Sequence, residues 1–154
     1  MPVFMLDTNA INSIGYKESF LDCVISTVKQ GKIALFVTHI QNDEIKAISD
    51  SNAKMRSKLQ NFTNTYCTRV PTMGIVFGIS YFDESCFSDG EDIDAICKGN
   101  SKMMHDALIA ATAKINADYL VTDDDTLRKR IIRELPCLTE LTNEEFHQIV
   151  SSYS

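Results

Sequence analysis

The sequence predicts an α/β domain built on a mostly parallel sheet. Three observations carry that expectation. Short apolar runs, "VFML" at 3–6, "IALFV" at 33–37 and "YLV" at 119–121, alternate along the chain with longer stretches of helical periodicity. The runs are continuous, the signature of strands covered on both faces. Acidic residues stand directly after the first run and just after the third, where open parallel sheets bind their ligands.

The first strand runs from Val3 to Leu6 and stops at Asp7. From Ser19 the pattern turns helical, with Phe20, Leu21, Val24, Ile25 and Val28 at helical spacing, and it ends at Gly31. "KIALFVTHI" carries a second strand through Ile33–Val37. Ile40, Glu44, Ile45 and Ile48 then suggest a helix, and Met55, Leu59 and Phe62 a second or continuing one. The stretch from Cys67 to Phe82 is mixed: Val70-Pro71-Thr72 reads as a break, and Gly74 and Gly78 as helix interruptions or strand bulges. The acidic run at 83–94 reads as a solvated loop and helix start. "SKMMHDALIAATAKINA" is a strong helix, "DYLVT" a third strand, and "TLRKRIIREL" a helix with Leu127, Ile131 and Leu135 on one face. "LPCLTEL" supplies a last edge strand. In "TNEEFHQIV", Thr142 and Glu145 have the capping-box spacing of a terminal helix.

With 154 residues, 44% hydrophobic and 23% charged, the chain has the composition of one globular domain spanning 1–154. A net charge of −6 means that no global field draws in nucleic acid, so such a substrate would need a local basic patch or neutralising metal ions. The five cysteines are odd in number, widely spaced and without a C-x-x-C. That pattern predicts reduced thiols in a cytoplasmic protein, not a disulfide framework or a zinc site. The N-terminus lacks a basic leader and no stretch reaches transmembrane length, so the expectation is a soluble protein with no membrane partner.

Asp7 follows "VFML", and Asp123, Asp124 and Asp125 follow "YLVT". Two such strand ends side by side would bring their carboxylates to one crevice. A strand-end Asp is also a good N-cap, so for Asp7 alone both readings stand, and at least one of the triplet is only capping or solvated. The helices discriminate. Asp106 shares a helix face with Ala110 and Ala113, small residues that allow close packing, so its carboxylate is aimed near the interior and needs a metal, a cation or several donors. The competing reading places it at a helix start, near the positive dipole end. Glu44 lies at the edge of an apolar stripe, with Asp43 beside it as the solvated member of the pair. Carboxylates without an equivalent set of His or Cys suit Mg²⁺ or Mn²⁺ better than zinc. Such a site positions a phosphodiester and lowers the pKa of a bound water. No Gly-rich phosphate loop, G-x-S-x-G or His-linked nucleophile competes.

These stretches, "FMLDTNAI", "VTHIQNDEI", "HDALIAATA" and "ADYLVTDDDTL", occur in the order found in PIN-domain nucleases, and the pattern resembles that family across residues 3–127. Residues 50–100 contribute no motif. The resemblance implies a three-layer α/β/α fold with a central, mostly parallel twisted sheet, and a Mg²⁺- or Mn²⁺-dependent endoribonuclease. It places Asp7, Glu44, Asp106 and Asp124 on the family's acidic quartet as metal ligands. Asp123 would support a second metal or bind through water, and Asp125 would be solvated. Thr8, Asn9 and Thr122 would line the pocket and orient a water or a ligand. The best-known members, the VapC-type toxins, cut RNA, usually dimerise and pair with an antitoxin protein, so the resemblance extends to a homodimer and an antitoxin partner. The chain is longer than a compact toxin, and its acidic 83–94 run departs from the plainer helices usual there.

Arg128, Lys129, Arg130 and Arg133 follow the triplet and would stand at the mouth of the site, gripping RNA phosphates. The equally open reading is a basic outer face paired with nearby acids. Lys98 and Lys102 form a weaker second group. The rival from another class is a non-catalytic PIN-like module that binds RNA or a protein. A Mg²⁺-dependent phosphatase with Asp7 as nucleophile is disfavoured by Asn9, which stands where such enzymes need a second Asp.

Overall fold

The computed structural model describes residues 1–76 and 78–153; Phe77, inside the mixed stretch after Cys67, and Ser154 lie outside them. Five parallel strands form the main sheet: β1 (Val3–Leu6), β2 (Ala34–Val37), β3 (Cys67–Arg69), β6 (Tyr119–Val121) and β7 (Thr139–Leu141), in the order β3-β2-β1-β6-β7. Phe4 of β1 stands opposite Leu35 of β2 and Tyr119 of β6. A second, two-stranded parallel sheet pairs β4 (Thr72–Met73) with β5 (Ser85–Cys86).

Helices cover both faces of the sheet, and the apolar runs explain why. Alternate residues of β1 point to opposite sides, so Phe4 and Leu6 enter one core and Met5 the other. The first core takes α1 (Thr8–Tyr16), α2 (Glu18–Lys29), α4 (Ala53–Tyr66) and α8 (Asn143–Ser151). The second takes α5 (Glu91–Cys97), α6 (Met104–Asn116) and α7 (Asp125–Glu134). The helix α3 (His39–Lys46) contributes Ile45 to the first core and Ile40 to the second. The result is the three-layer α/β/α arrangement with a parallel central sheet.

Most expected elements are present, including the edge strand β7 and the α8 capping box, in which Thr142 N donates to Glu145 at 2.8 Å and Glu145 N to the Thr142 hydroxyl at 3.1 Å. Strands β3, β4 and β5, in the mixed stretch and the acidic run, are additions, and so is helix α1. The helical pattern in the sequence sets in only at Ser19, yet the chain turns helical directly after Asp7. "TNAINSIGY" is poor in helix formers, and α1 is held instead by burying Ala10, Ile11 and Ile14. Gly15 lets it approach α4, since a Cβ there would fall 2.4 Å from Leu59 Cδ2. Gly74 is neither a helix interruption nor a bulge. It ends β4 at φ +118°, and its N–H donates to Cys86 O at 2.8 Å. Within the acidic run, Asp92 is paired: Lys114 Nζ reaches both its oxygens at 2.8 Å.

Parallel strands bring their carboxyl ends to one side. The chain leaves β1 toward β2 and β3 on one flank and returns to β6 and β7 on the other, so the order reverses between β1 and β6. Crevices open at that switch point.

Phe146 fixes α8 to the sheet, with its ring 5.0 Å from Phe4 and 6.0 Å from Phe20. Phe146→Ala should therefore cost about 3–5 kcal/mol. A urea unfolding midpoint that falls with unchanged slope would confirm it, and a midpoint within error of wild type would contradict it.

Candidate functional site

Asp7 prolongs β1, its N–H donating to Val121 O at 3.0 Å, and its side chain then caps α1. Oδ1 accepts from Thr8 N at 2.7 Å, while Oδ2 accepts from Asn9 Nδ2 at 2.6 Å and the Thr122 hydroxyl at 2.8 Å. Asn9 also reaches Thr122 Oγ1 and receives Asp123 N–H, both at 3.1 Å. Asn9 therefore ties the turn after β1 to the turn after β6. Asp124 caps α7 by accepting from Leu127 N at 2.9 Å.

Glu44 arrives on α3, whose position is set by a buried polar contact. Thr38 N donates to Gln41 Oε1 at 2.9 Å, and Gln41 Nε2 donates to Leu6 O at the end of β1 at 2.8 Å. The Thr8 hydroxyl donates to Glu44 Oε2, and His105 Nδ1 stands 3.3 Å from Oε1. Asp106 follows His105 in the first turn of α6. That helix leads into β6, so its N-terminus lies at the carboxyl end of the sheet.

Asp7, Glu44 and Asp124 lie near enough to Asp106 for their charges to act on its carboxyl. The Asp106 carboxyl is pushed up from its ordinary 3.8 to about 7, first by burial and then by the charges of Asp7, Asp124 and Glu44, with His105 opposing. Asp7 is raised as well. Burial is the main cause, the bonds from Thr122 and Thr8 oppose it, and Glu44 and Asp124 add repulsion.

Among the described residues, however, no group of three or more His, Cys, Asp and Glu side chains would hold a metal ion as placed. Protein donors occupy Asp7, Glu44 and Asp124 instead. The all-oxygen, anionic donor set fits a hard divalent cation in its chemistry; side-chain rotation would have to bring the oxygens inward.

The other expected residues are placed as follows. Thr8, Asn9 and Thr122 belong to the network just described. Asp123 turns away to α8, accepting from Asn143 N at 2.8 Å and Asn143 Nδ2 at 2.7 Å. The basic residues of α7 are mostly engaged by protein. Arg128 pairs with Glu140 at 3.5 Å and Asp125 at 3.8 Å, and Arg133 Nε donates to Glu134 at 2.7 Å. Arg130 donates to the carbonyls of Ile96 and, at 2.9 Å, Cys97 at the end of α5. Lys129 is exposed, and Lys98 pairs with Glu134.

His105 was not singled out by the sequence, though it adjoins Asp106. Beside it a cavity of 220 Å³ is lined by Glu44, His39 and Ile79, among others. No helix among the described residues is long and apolar enough to cross a membrane.

No protein-family model matches the chain, and no curated protein sequence does either. A solved structure does. A chain in the crystal structure of VapBC2 from Rickettsia felis bound to a DNA fragment from their promoter matches with a TM-score of 0.53 and 18% identity, over 91% of this chain and 98% of that one. The two share a fold. That likeness agrees with the architecture the motifs imply, and at this identity it speaks to architecture alone.

The crowding of Asp106 gives a pH dependence with a definite sign. Below about pH 4 the carboxyl is protonated in both folded and unfolded chains and contributes nothing. Between about 4 and 7 the unfolded chain has lost this proton and the folded chain keeps it, so rising pH erodes stability; above 7 the loss is complete. In chelator, Asp106→Asn should raise the melting temperature at pH 8 by roughly 2–6 °C, with the gain fading toward pH 4. A variant that melts below wild type at pH 8 would show that the acids do not crowd one another.

Proposed function

We propose that the chain is a divalent-metal-dependent endoribonuclease of the PIN-domain type. The observation that carries the reading is the convergence of Asp7, Glu44, Asp106 and Asp124 from four separate segments, expressed in the displaced Asp106 carboxyl. Crowded, partly buried acids destabilise a fold, which makes a structural purpose a poor explanation of them.

In this reading the four acids would hold Mg²⁺ or Mn²⁺. When bound, the cation supplies a polarised phosphodiester and a water of lowered pKa. The protein's part is to aim the acids. Asn9, Thr122 and the Thr8 N–H keep Asp7 at the crevice, and the Thr8 hydroxyl and His105 keep Glu44 there; some of these bonds would be exchanged for the cation. The Asp123 contacts argue against a direct role for that residue at a second metal.

A finer proposal is that the chain is the toxin of a toxin–antitoxin pair, with an antitoxin protein as partner. Its support is the shared fold with a VapBC2 chain, VapC being a PIN-domain toxin. One observation favours the rival, a PIN-like module that binds RNA or protein without cutting it: among the described residues, no three His, Cys, Asp or Glu side chains already stand ready for a metal.

Incubating a pool of structured and single-stranded RNA with Mn²⁺, Mg²⁺ or chelator separates the two. Wild type should cut only with metal. Asp7→Asn and Asp106→Asn, both checked for folding, should lose more than about 100-fold, and Thr122→Val about 10–100-fold. Folded wild type that binds RNA but neither cuts it nor takes up Mn²⁺ in calorimetry would favour the binding module.

A further inference from the structure

A groove of 250 Å³ lies between the small β4–β5 sheet and the helices α5 and α6. Met73, Ile93, Ala111 and Ile115 give it an apolar lining, and Asp89 and Asp92 complete it. Its walls are tied together. Met73 N donates to the Thr112 hydroxyl at 2.9 Å, and Lys114 Nζ donates to both oxygens of Asp92 at 2.8 Å, so β4 and α5 are each fixed to α6. Two large apolar side chains stand in water at this groove. Ile115, one of the lining residues, is 60% exposed, and Phe87, next to the lining residue Ser88, is 88% exposed. Such residues scattered singly are ordinary, but two of them at an apolar groove make a patch that a partner would cover.

The charge around the groove selects the partner. Residues 83–94 hold six acids and no Lys, Arg or His. Glu84 pairs with Arg69, and Asp92 with Lys114. Asp83, Asp89, Glu91 and Asp94 are exposed and have no ion-pair partner among the described residues. Asp89 lies near enough to Lys114 to act on it, but that ammonium is bound by both oxygens of Asp92. Asp89 Oδ1 accepts from Glu91 N at 3.2 Å, and Oδ2 has no donor among the described residues. The face of the Phe87 ring also attracts a cation.

Other occupants fit less well. RNA and phospholipid headgroups are anionic and would meet four uncompensated acids. A second copy related by a two-fold axis would bring the same acids against one another. The groove is smaller than the roughly 300–1,000 Å³ of sites that enclose small molecules, and its size suits one long side chain.

We propose that this face docks a cationic segment of another protein. The aliphatic stem of an arginine or lysine lies along the groove, a neighbouring apolar residue covers Phe87, and the charge reaches Asp89. Ile115 stands nine residues beyond Asp106 on α6, about 14 Å along the helix. The partner therefore sits toward the far end of α6 from the acids, where it tethers the chain and leaves the crevice open. The proposal rests on this face and not on the nuclease reading.

The test uses the full chain and a fluorescently labelled peptide of arginine and leucine, followed by anisotropy. The peptide should bind. Its counterpart with glutamate for arginine should not, and the one with serine for leucine should bind at least about fivefold more weakly. Phe87→Ser and Ile115→Ser, at exposed positions and checked for folding, should each weaken binding by about fivefold or more. Asp89→Asn keeps the acceptor for the Glu91 N–H and should weaken it by about two- to fivefold. No binding of the arginine–leucine peptide overturns the proposal. So does binding that Phe87→Ser and Ile115→Ser both leave unchanged, which would place the peptide elsewhere. A wild-type dimer that Phe87→Ser turns into a monomer in sedimentation would assign the face to a second copy. Flotation with neutral phosphatidylcholine vesicles, lost in Phe87→Ser, would assign it to a membrane. Either result overturns the basic partner. The peptide titration decides the face whether or not the chain cuts RNA, and RNA cutting decides the nuclease whether or not the peptide binds.

Discussion

Like charges crowded at one end of the sheet are the constraint around which this molecule is arranged. Asp7, Glu44, Asp106 and Asp124 crowd one end of the sheet, and a fold that merely collected them there would repel itself apart. Helix starts make the arrangement tolerable. Asp7 caps α1, Asp124 caps α7, and Asp106 sits in the first turn of α6. Helix N-termini present unpaired N–H groups and partial positive charge, so three of the acids lie where the backbone favours an anion. The parallel sheet makes this possible, because only parallel strands deliver successive carboxyl ends to one side. The reversal of strand order between β1 and β6 then opens space at that side.

The layers of the fold were legible because a doubly covered strand leaves a plain mark. Phe4, Met5 and Leu6 are all fully buried, which is why "VFML" reads as an unbroken apolar run. Helix α1 left no such mark, since Asn, Ser, Thr and Gly dilute its three apolar contacts and its stability comes from tertiary packing. The four acids stand out in the sequence by their places at strand ends and on helix faces. Their surroundings do not. His39, Ile79 and His105 reach one cavity from three distant segments, and no sequence period links residues that meet only in space. The basic stretch after Asp125 illustrates the opposite difficulty. Four cations in six residues look like a nucleic-acid grip, yet Arg130 is used on the end of α5 and Arg128 and Arg133 meet neighbouring acids. Charge in a sequence shows no partner until the fold supplies one.

The engagement of those arginines bears on how an acidic chain would hold a polyanion. With a net charge of −6 and a carboxylate cluster at the crevice, long-range attraction is weak. Recognition would then fall to close contacts, such as cations bound between acid and phosphate. Such contacts form only at short range and are screened little by salt, so shape matters more to them than the overall field does.

The double duty of the capping acids has a consequence over evolutionary time. Asp7 and Asp124 each hold a helix start, so their replacement disturbs folding whether or not the crevice is in use. Glu44 and Asp106 carry no such duty, and losing Asp106 relieves crowding. In a lineage released from selection for activity, drift would therefore erase the helix-borne pair first. The aspartates at the strand ends would persist as remnants. In descendants of this chain, survival of Asp106 and Glu44 is the informative sign that the crevice is still at work.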